Sequence, residues 1–165
     1  MKYETSEETI KFELYLTSDY WDLPPIIDVL VDDEIKFTGE MLQEKNYVTF
    51  SHTLAFDKPH ALRLKRYNKL PGQCVPLDDG TFKDQLLTLD RVVIDGVDIQ
   101  NIVQAHSYNE PEYPEPWATL QRNQGIELEK QVLAETVFGH NGMWTLNFTS
   151  PFYVFLMTRM DGDIK

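Results

Sequence analysis

Apolar and polar positions alternate along much of this chain, the two-residue period of a half-buried strand. Ile10-Lys11-Phe12-Glu13-Leu14-Tyr15-Leu16 opens the pattern, and the turn formers and prolines of Thr17–Pro25 break it. Ile27, Val29 and Val31 share one face of a second strand. A turn at Asp32-Asp33-Glu34 predicts a hairpin whose return places Ile35 and Phe37 inward, Lys36 and Thr38 outward, and which Gly39 closes. Val48, Phe50, His52, Leu54 and Phe56 alternate next, so His52 falls inward, where a hydrogen-bonded core role is expected. After the turn Asp57-Lys58-Pro59-His60, Leu62 and Leu64 alternate with Arg63 and Lys65. Strands joined by such short turns predict an all-β sandwich rather than β-α-β units.

A segment without periodicity, Lys69 to Gln85, interrupts the pattern with Pro71-Gly72 and Pro76. It is longer than the usual connection, as binding loops often are. Leu86 to Ile99 is the longest apolar stretch to follow. The spacing of Leu86, Leu87, Leu89, Val92 and Val93 would also suit a helix, but Val92-Val93-Ile94 and the Asp95-Gly96 turn favour a strand entering a hairpin. Residues 104–125 contain Pro111, Pro114 and Pro116, which argue against helix and for an extended strap across the sandwich. Glu127 to Val137 is compatible with a short strand pair or a turn of helix, and Gly139-His140-Asn141-Gly142 is turn chemistry. Trp144 to Thr149 alternates again, with Trp144 expected in the core beside Leu146 and Phe148. Ser150-Pro151 predicts the start of a short helix over 150–160. Phe152, Phe155, Leu156 and Arg159 line one side of it, and Tyr153, Val154 and Met157 cover much of the rest. A helix apolar nearly all round must be buried, against its own sandwich or a partner. Phe152, Tyr153, Phe155 and Leu156 are therefore candidate docking residues.

The chain has 165 residues with 42% hydrophobic content, which suits one domain over 1–165 behind a tail at 1–9. The single cysteine, Cys74, excludes an intramolecular disulfide framework and a multi-cysteine zinc site. A net charge of −12, from 15 Lys and Arg against 27 Asp and Glu, repels phosphate backbones and argues against nucleic acid. The N-terminus has no signal-peptide pattern, and the longest apolar run, Phe152 to Met157, is too short for a membrane span.

No nucleophile elbow, phosphate-binding glycine loop or paired-histidine metal motif occurs, and carboxylates are too abundant for counting to single out a hydrolytic pair. The expectation is a chain that is not an enzyme, with a glycan hydrolase as the remotest alternative. The loop Asp78-Asp79-Gly80-Thr81-Phe82-Lys83-Asp84 is the candidate metal site. Its aspartates supply the hard oxygens calcium prefers, although the same residues also suit a solvated acidic turn. Tyr20, Trp21, Tyr113 and Trp117, all near turns, are candidate aromatic contacts for a sugar or a protein surface.

The hairpin from Ile27 to Phe37, HALRLKRYNK (60–69), DDGTFKD (78–84), VVIDGVDI (92–99), PEYPEPW (111–117) and GHNGMWTLNFTSPFYVFL (139–156) occur in that order. Together they resemble small virion-associated proteins of tailed bacteriophages of the marine and cyanobacterial groups, over about Ile10 to Met157. Those are similar in outline to calcium-dependent carbohydrate-binding modules of the xylan-binding type. The resemblance implies a single jelly-roll-like β-sandwich and a non-enzymatic structural component of the virion, on head, neck or tail. It implies docking on other virion proteins as a homo- or hetero-oligomer, and assembly after synthesis in a host cytoplasm. The alternative it implies is calcium-assisted binding of a host-surface glycan through Asp78, Asp79 and Asp84. The chain departs from those modules in lacking a cystine-stabilised site loop, since Cys74 has no partner.

Overall fold

A computed structural model describes residues 6–164, with side chains as far as 159. In chain order the elements begin with β1 (Glu7–Asp19), β2 (Ile26–Val31), β3 (Glu34–Glu40), β4 (Lys45–Ala55) and β5 (Pro59–Tyr67). The long loop carries the small hairpin β6 (Val75–Pro76) and β7 (Phe82–Lys83). Then follow β8 (Leu86–Ile94), β9 (Val97–Asp98), α1 (Gln100–His106), β10 (Tyr108–Pro111) and α2 (Trp117–Asn123). β11 (Val132–Leu133), β12 (Val137–Phe138), β13 (Gly142–Thr149) and α3 (Phe152–Ile164) complete the chain.

Two antiparallel sheets face each other, one in the order β12-β8-β1-β4 with β9 on β8, the other β11-β10-β13-β5-β2-β3. The chain crosses between them at β1–β2, β3–β4, β4–β5, β5–β8, β9–β10, β11–β12 and β12–β13, as a jelly-roll-like sandwich does. Phe12, Leu14 and Leu16 of the first sheet meet Val29, Leu62, Leu64, Trp144 and Leu146 of the second in a continuous buried cluster. Each large side chain so buried contributes about 1.5–3 kcal/mol.

Two bulges shift the phase of the alternation. In β8, Leu16 faces Leu89 while Tyr15 faces Arg91, so Asp90 is the extra residue. The inward set is therefore Leu87 and Leu89 before the bulge and Val92 and Ile94 after it, which is why this strand's spacing also fits a helix. The bulge frees two backbone groups, and the Gln100 side chain takes both, accepting from Val92 N (3.2 Å) and donating to Leu89 O (3.3 Å). In β3, Val29 faces Phe37 but Leu30 faces Ile35. Lys36 is the extra residue, and Ile35 turns outward (56% exposed) rather than inward as expected. The turn before it holds Asp32 and Asp33 at φ of 52° and 68°, the left-handed pair that a two-residue hairpin needs.

Several further expectations are corrected. Glu7–Thr9 belong to β1 and not to a tail, while residues 1–5 lie outside those described. The 104–125 strap is not one extended segment. β10 is a paired strand of the second sheet, and α2 begins directly after Pro116, where a missing backbone N–H costs nothing. α1 buries Ile102 and Val103. The 127–137 region holds two short strands, one joined to each sheet and neither to the other.

At the C-terminus α3 runs beyond the expected 150–160, and Ser150 does not cap it. Its hydroxyl donates to Glu8, whose Oε2 also accepts the Phe152 N–H at 2.7 Å. The capping carboxylate thus arrives from β1, on the first sheet. Glu8→Ala should lower the unfolding free energy by about 1 kcal/mol in urea denaturation, with Glu8→Gln intermediate because it keeps an acceptor but loses the charge. Equal stability of all three proteins would refute this cap. Phe152 (3%) and Phe155 (5%) face the chain's own core, so they are not available for docking on a partner. Leu156 packs partly against that core, and of the four docking candidates Tyr153 (69%) alone stands clear.

Candidate functional site

One group of the expected residues converges. Tyr113, between β10 and α2, and Trp117, the first residue of α2, lie with ring centroids 6.2 Å apart and planes at 29°. The His140 ring completes the set at 5.3 Å from each. The Tyr113 hydroxyl donates to Glu129 O at 2.5 Å, which fixes the ring, and Trp117 remains 39% exposed. The result is a three-ring platform whose apolar faces suit stacking on the C–H face of a sugar or another flat ligand.

A charged network underlies the platform. Arg66 occupies an inward position of β5, two residues beyond Leu64, and is 1% exposed. Its guanidinium donates to Asn141 Oδ1 (3.1 Å) and to Gln85 O. Asn141 Oδ1 also accepts Lys69 N–H (2.9 Å), and Asn141 Nδ2 returns a bond to Lys69 O (3.0 Å). The Lys69 ammonium donates to Gly139 O (2.6 Å) and pairs with Asp84 (2.5 Å). These bonds fix the 139–142 turn, and with it His140, against the end of β5.

Burial pushes the Arg66 pKa down to about 10, against the opposing pull of Asp84, so it stays cationic at neutral pH. The His140 pKa is pushed down from 6.5 chiefly by burial, then by Lys69 and Arg66, with Asp84 opposing. A histidine depressed in the fold contributes stability that is complete above its unfolded pKa and is lost as pH falls through its folded one. Unfolding free energy should therefore decline as pH falls below about 6.5. His140→Gln should make the decline shallower without removing it, because His52 is also depressed, by burial first and then by Lys36. Superimposable pH–stability curves for the two proteins would overturn this assignment.

The other expected residues do not join this group. Tyr20 donates its hydroxyl to Leu42 O (2.9 Å). Trp21 donates Nε1–H to Gln73 O (3.1 Å) and lies under the Lys83 ammonium at 5.4 Å. Both rings help anchor loops. The long loop is tied down in turn by Gln85, whose amide donates to Leu23 O (2.7 Å) and Asn68 O (3.1 Å).

The three aspartates are dispersed in role. Asp79 Oδ1 accepts the Thr81 N–H (3.0 Å) and hydroxyl (2.5 Å) across the Gly80 turn, and these bonds hold its pKa low. Asp84 is committed to Lys69 and to the Gln85 N–H (2.8 Å). Asp78 is exposed. Among the described residues no three His, Cys, Asp or Glu side chains gather where they would hold a metal ion. The carboxylates of the loop are thus not gathered on one point as the six to eight converging oxygens around a calcium ion would be.

Arg66 and His140 carry much of this site, and neither stands out in the sequence. The signal for Arg66 is the alternation itself: Leu62 and Leu64 face inward, so the next inward position is Arg66. His140 lies in a stretch that reads as turn chemistry and shows no sign of its aromatic neighbours.

No family model matches the chain, and no curated protein matches it. Among solved structures it is similar to a vCBM60 in complex with galactobiose, at 10% identity and a TM-score of 0.47, over 82% of this chain and 95% of that one. It is also similar to a selenomethionine form of vCBM60, described as linking two families of calcium-dependent carbohydrate-binding modules by circular permutation. There the identity is 11% and the TM-score 0.48, over 82% of this chain and 88% of that one.

Proposed function

We propose that this chain is a non-catalytic component of a tailed-phage virion that binds glycan through the Tyr113–Trp117–His140 platform. The virion assignment rests on the motifs from Ile27 to Leu156 and their resemblance to virion-associated proteins. The glycan assignment rests on one observation, three rings brought together and held at one site with Trp117 still exposed. Asp79 and Asp84 are already engaged, so binding at the platform does not depend on calcium.

A glycan array probed with and without calcium tests this reading. Binding should survive chelation, and Trp117→Ala should weaken it by about tenfold or more, the equivalent of one stacking contact. Signal that vanishes on chelation returns the site to the acidic loop, and no signal on any glycan removes the reading. A second reading, docking on other virion proteins, is favoured by the outer face of α3, where Tyr153, Val154 and Met157 are all exposed. Mass spectrometry of purified particles carrying Tyr153→Asp tests it, since that change should deplete the chain from the particle.

A further inference from the structure

The outer face of the first sheet carries a second aromatic arrangement, which the platform does not use. β1 pairs with β4 on one side and β8 on the other, and the registers align Tyr47, Tyr15 and Arg91 in a single row across the three strands. The Tyr15 and Tyr47 rings are 5.0 Å apart, and the Arg91 guanidinium lies 4.2 Å from the centre of the Tyr15 ring. Only the bulge at Asp90 places Arg91 in this row, because without it Arg91 would share the inward face of Leu89. Tyr47 is 49% exposed. Its hydroxyl donates to Glu13 Oε1 at 2.5 Å, which fixes the ring and, as the chief cause, raises the phenol pKa.

The charges around the row are matched, in contrast to the chain's net charge of −12. Arg91 lies 3.9 Å from Asp98 and Lys11 lies 3.8 Å from Glu13. Lys45 donates to Thr17 Oγ1 (2.8 Å), which itself donates to Asp90 (2.6 Å). A locally neutral surface attracts neither a basic protein nor a polyanion. Exposed ring faces beside fixed hydroxyl, carboxylate and guanidinium groups are the chemistry that recognises a neutral polyhydroxylated ligand. Three neighbouring strands span about 10 Å from first to last, on the scale of a disaccharide.

From this geometry we infer that the Tyr47–Tyr15–Arg91 row is a second binding surface, for a neutral unbranched oligosaccharide, separate from the Tyr113–Trp117–His140 platform. A sugar ring stacks on Tyr47, the next lies along the Arg91 plane, and Glu13, Thr17 and Lys45 take hydroxyl hydrogen bonds at the flanks. The two surfaces together make the chain bivalent toward a long glycan, and linked sites raise avidity without any new contact.

The test is an amide-resolved NMR titration of isotope-labelled full-length protein with neutral hexasaccharides derived from xylan, galactan and glucan. At least one should move the amides of Tyr15, Tyr47 and Arg91. Tyr47→Ala and Arg91→Ala should each weaken that response by about tenfold while leaving any response of residues 113–117 and 139–142 intact, and the spectra themselves report whether each variant is folded. Failure of all three sugars to move these amides at millimolar concentration overturns the inference, as does a response unchanged in both variants. Shifts that follow protein concentration without sugar would assign the face to a second copy and also overturn it. A response at the row with none at 113–117 and 139–142 would support this surface while removing the platform reading, so the two fail separately.

Discussion

Arg66→Ala should lower the unfolding free energy by about 3–5 kcal/mol, one of the two largest losses expected from any single change here. Arg66 is 1% exposed and cationic at neutral pH, with its pKa pushed down to about 10 by burial. Its presence is tolerable because the guanidinium bridges two acceptors, Gln85 O and Asn141 Oδ1, the latter shared with the Lys69 N–H. Each bond from a charged donor is worth about 1.5–3 kcal/mol, and truncation leaves the Gln85 carbonyl buried without that partner. Arg66→Met restores the lost packing but not the bonds, so it should fall between wild type and alanine. Arg66→Lys keeps the charge but lacks the planar fork that spans both acceptors, and should be destabilised as well. Urea denaturation of the three variants checks the order. A loss below about 1 kcal/mol for alanine would mean that water replaces the guanidinium at little cost, contrary to the burial described here.

The same residue shows where the sequence was legible and where it was not. Two-residue alternation reports which side of a strand faces the core, and it located β1, β2, β4, β5 and β13 with their inward leucines, valines and phenylalanines. It reports nothing about what fills an inward position at the end of a strand, where a charged group can be satisfied by loop carbonyls. Bulges defeat it for another reason. A single extra residue at Lys36 or Asp90 puts the positions on its two sides out of phase, so Ile35 reads as core with Phe37 but lies in solvent, and β8 reads ambiguously as helix. Short helices were lost to opposite causes. α1 carries the i, i+3, i+4 spacing of Ile99, Ile102 and Val103, too brief to compete with its surroundings, and α2 was masked by prolines that permit a helix to begin but not to continue. The candidate site was half legible. Tyr113 and Trp117 stand out as aromatics beside prolines, but His140 joins them only through the pairing of β13 with β10, a contact between residues remote in sequence.

That pairing is also where fold and site can be separated by experiment. Gly142→Ala should destabilise the protein by about 3 kcal/mol and, unlike Arg66→Ala, should damage the platform directly. Gly142 is buried opposite Pro111, and a Cβ there would lie 2.5 Å from Glu110 O and 2.9 Å from Pro111 Cα. Both are backbone atoms, so no rotamer change relieves the contact, and β10 must move away from β13. The Glu112 N–H bond to Asn141 O (2.7 Å) lies next to this contact, and Tyr113 follows directly. Moving β10 therefore shifts Tyr113 relative to His140, while Trp117, held through α2, follows only in part. Glycan binding at the platform should fall by more than tenfold even at temperatures where the variant remains folded by circular dichroism. Trp117→Ala should lose binding with little loss of stability, because its ring is 39% exposed. If Gly142→Ala remains folded and binds as well as wild type, the position of Tyr113 against His140 does not matter for binding, and the platform is only a structural cluster that closes the end of the sandwich.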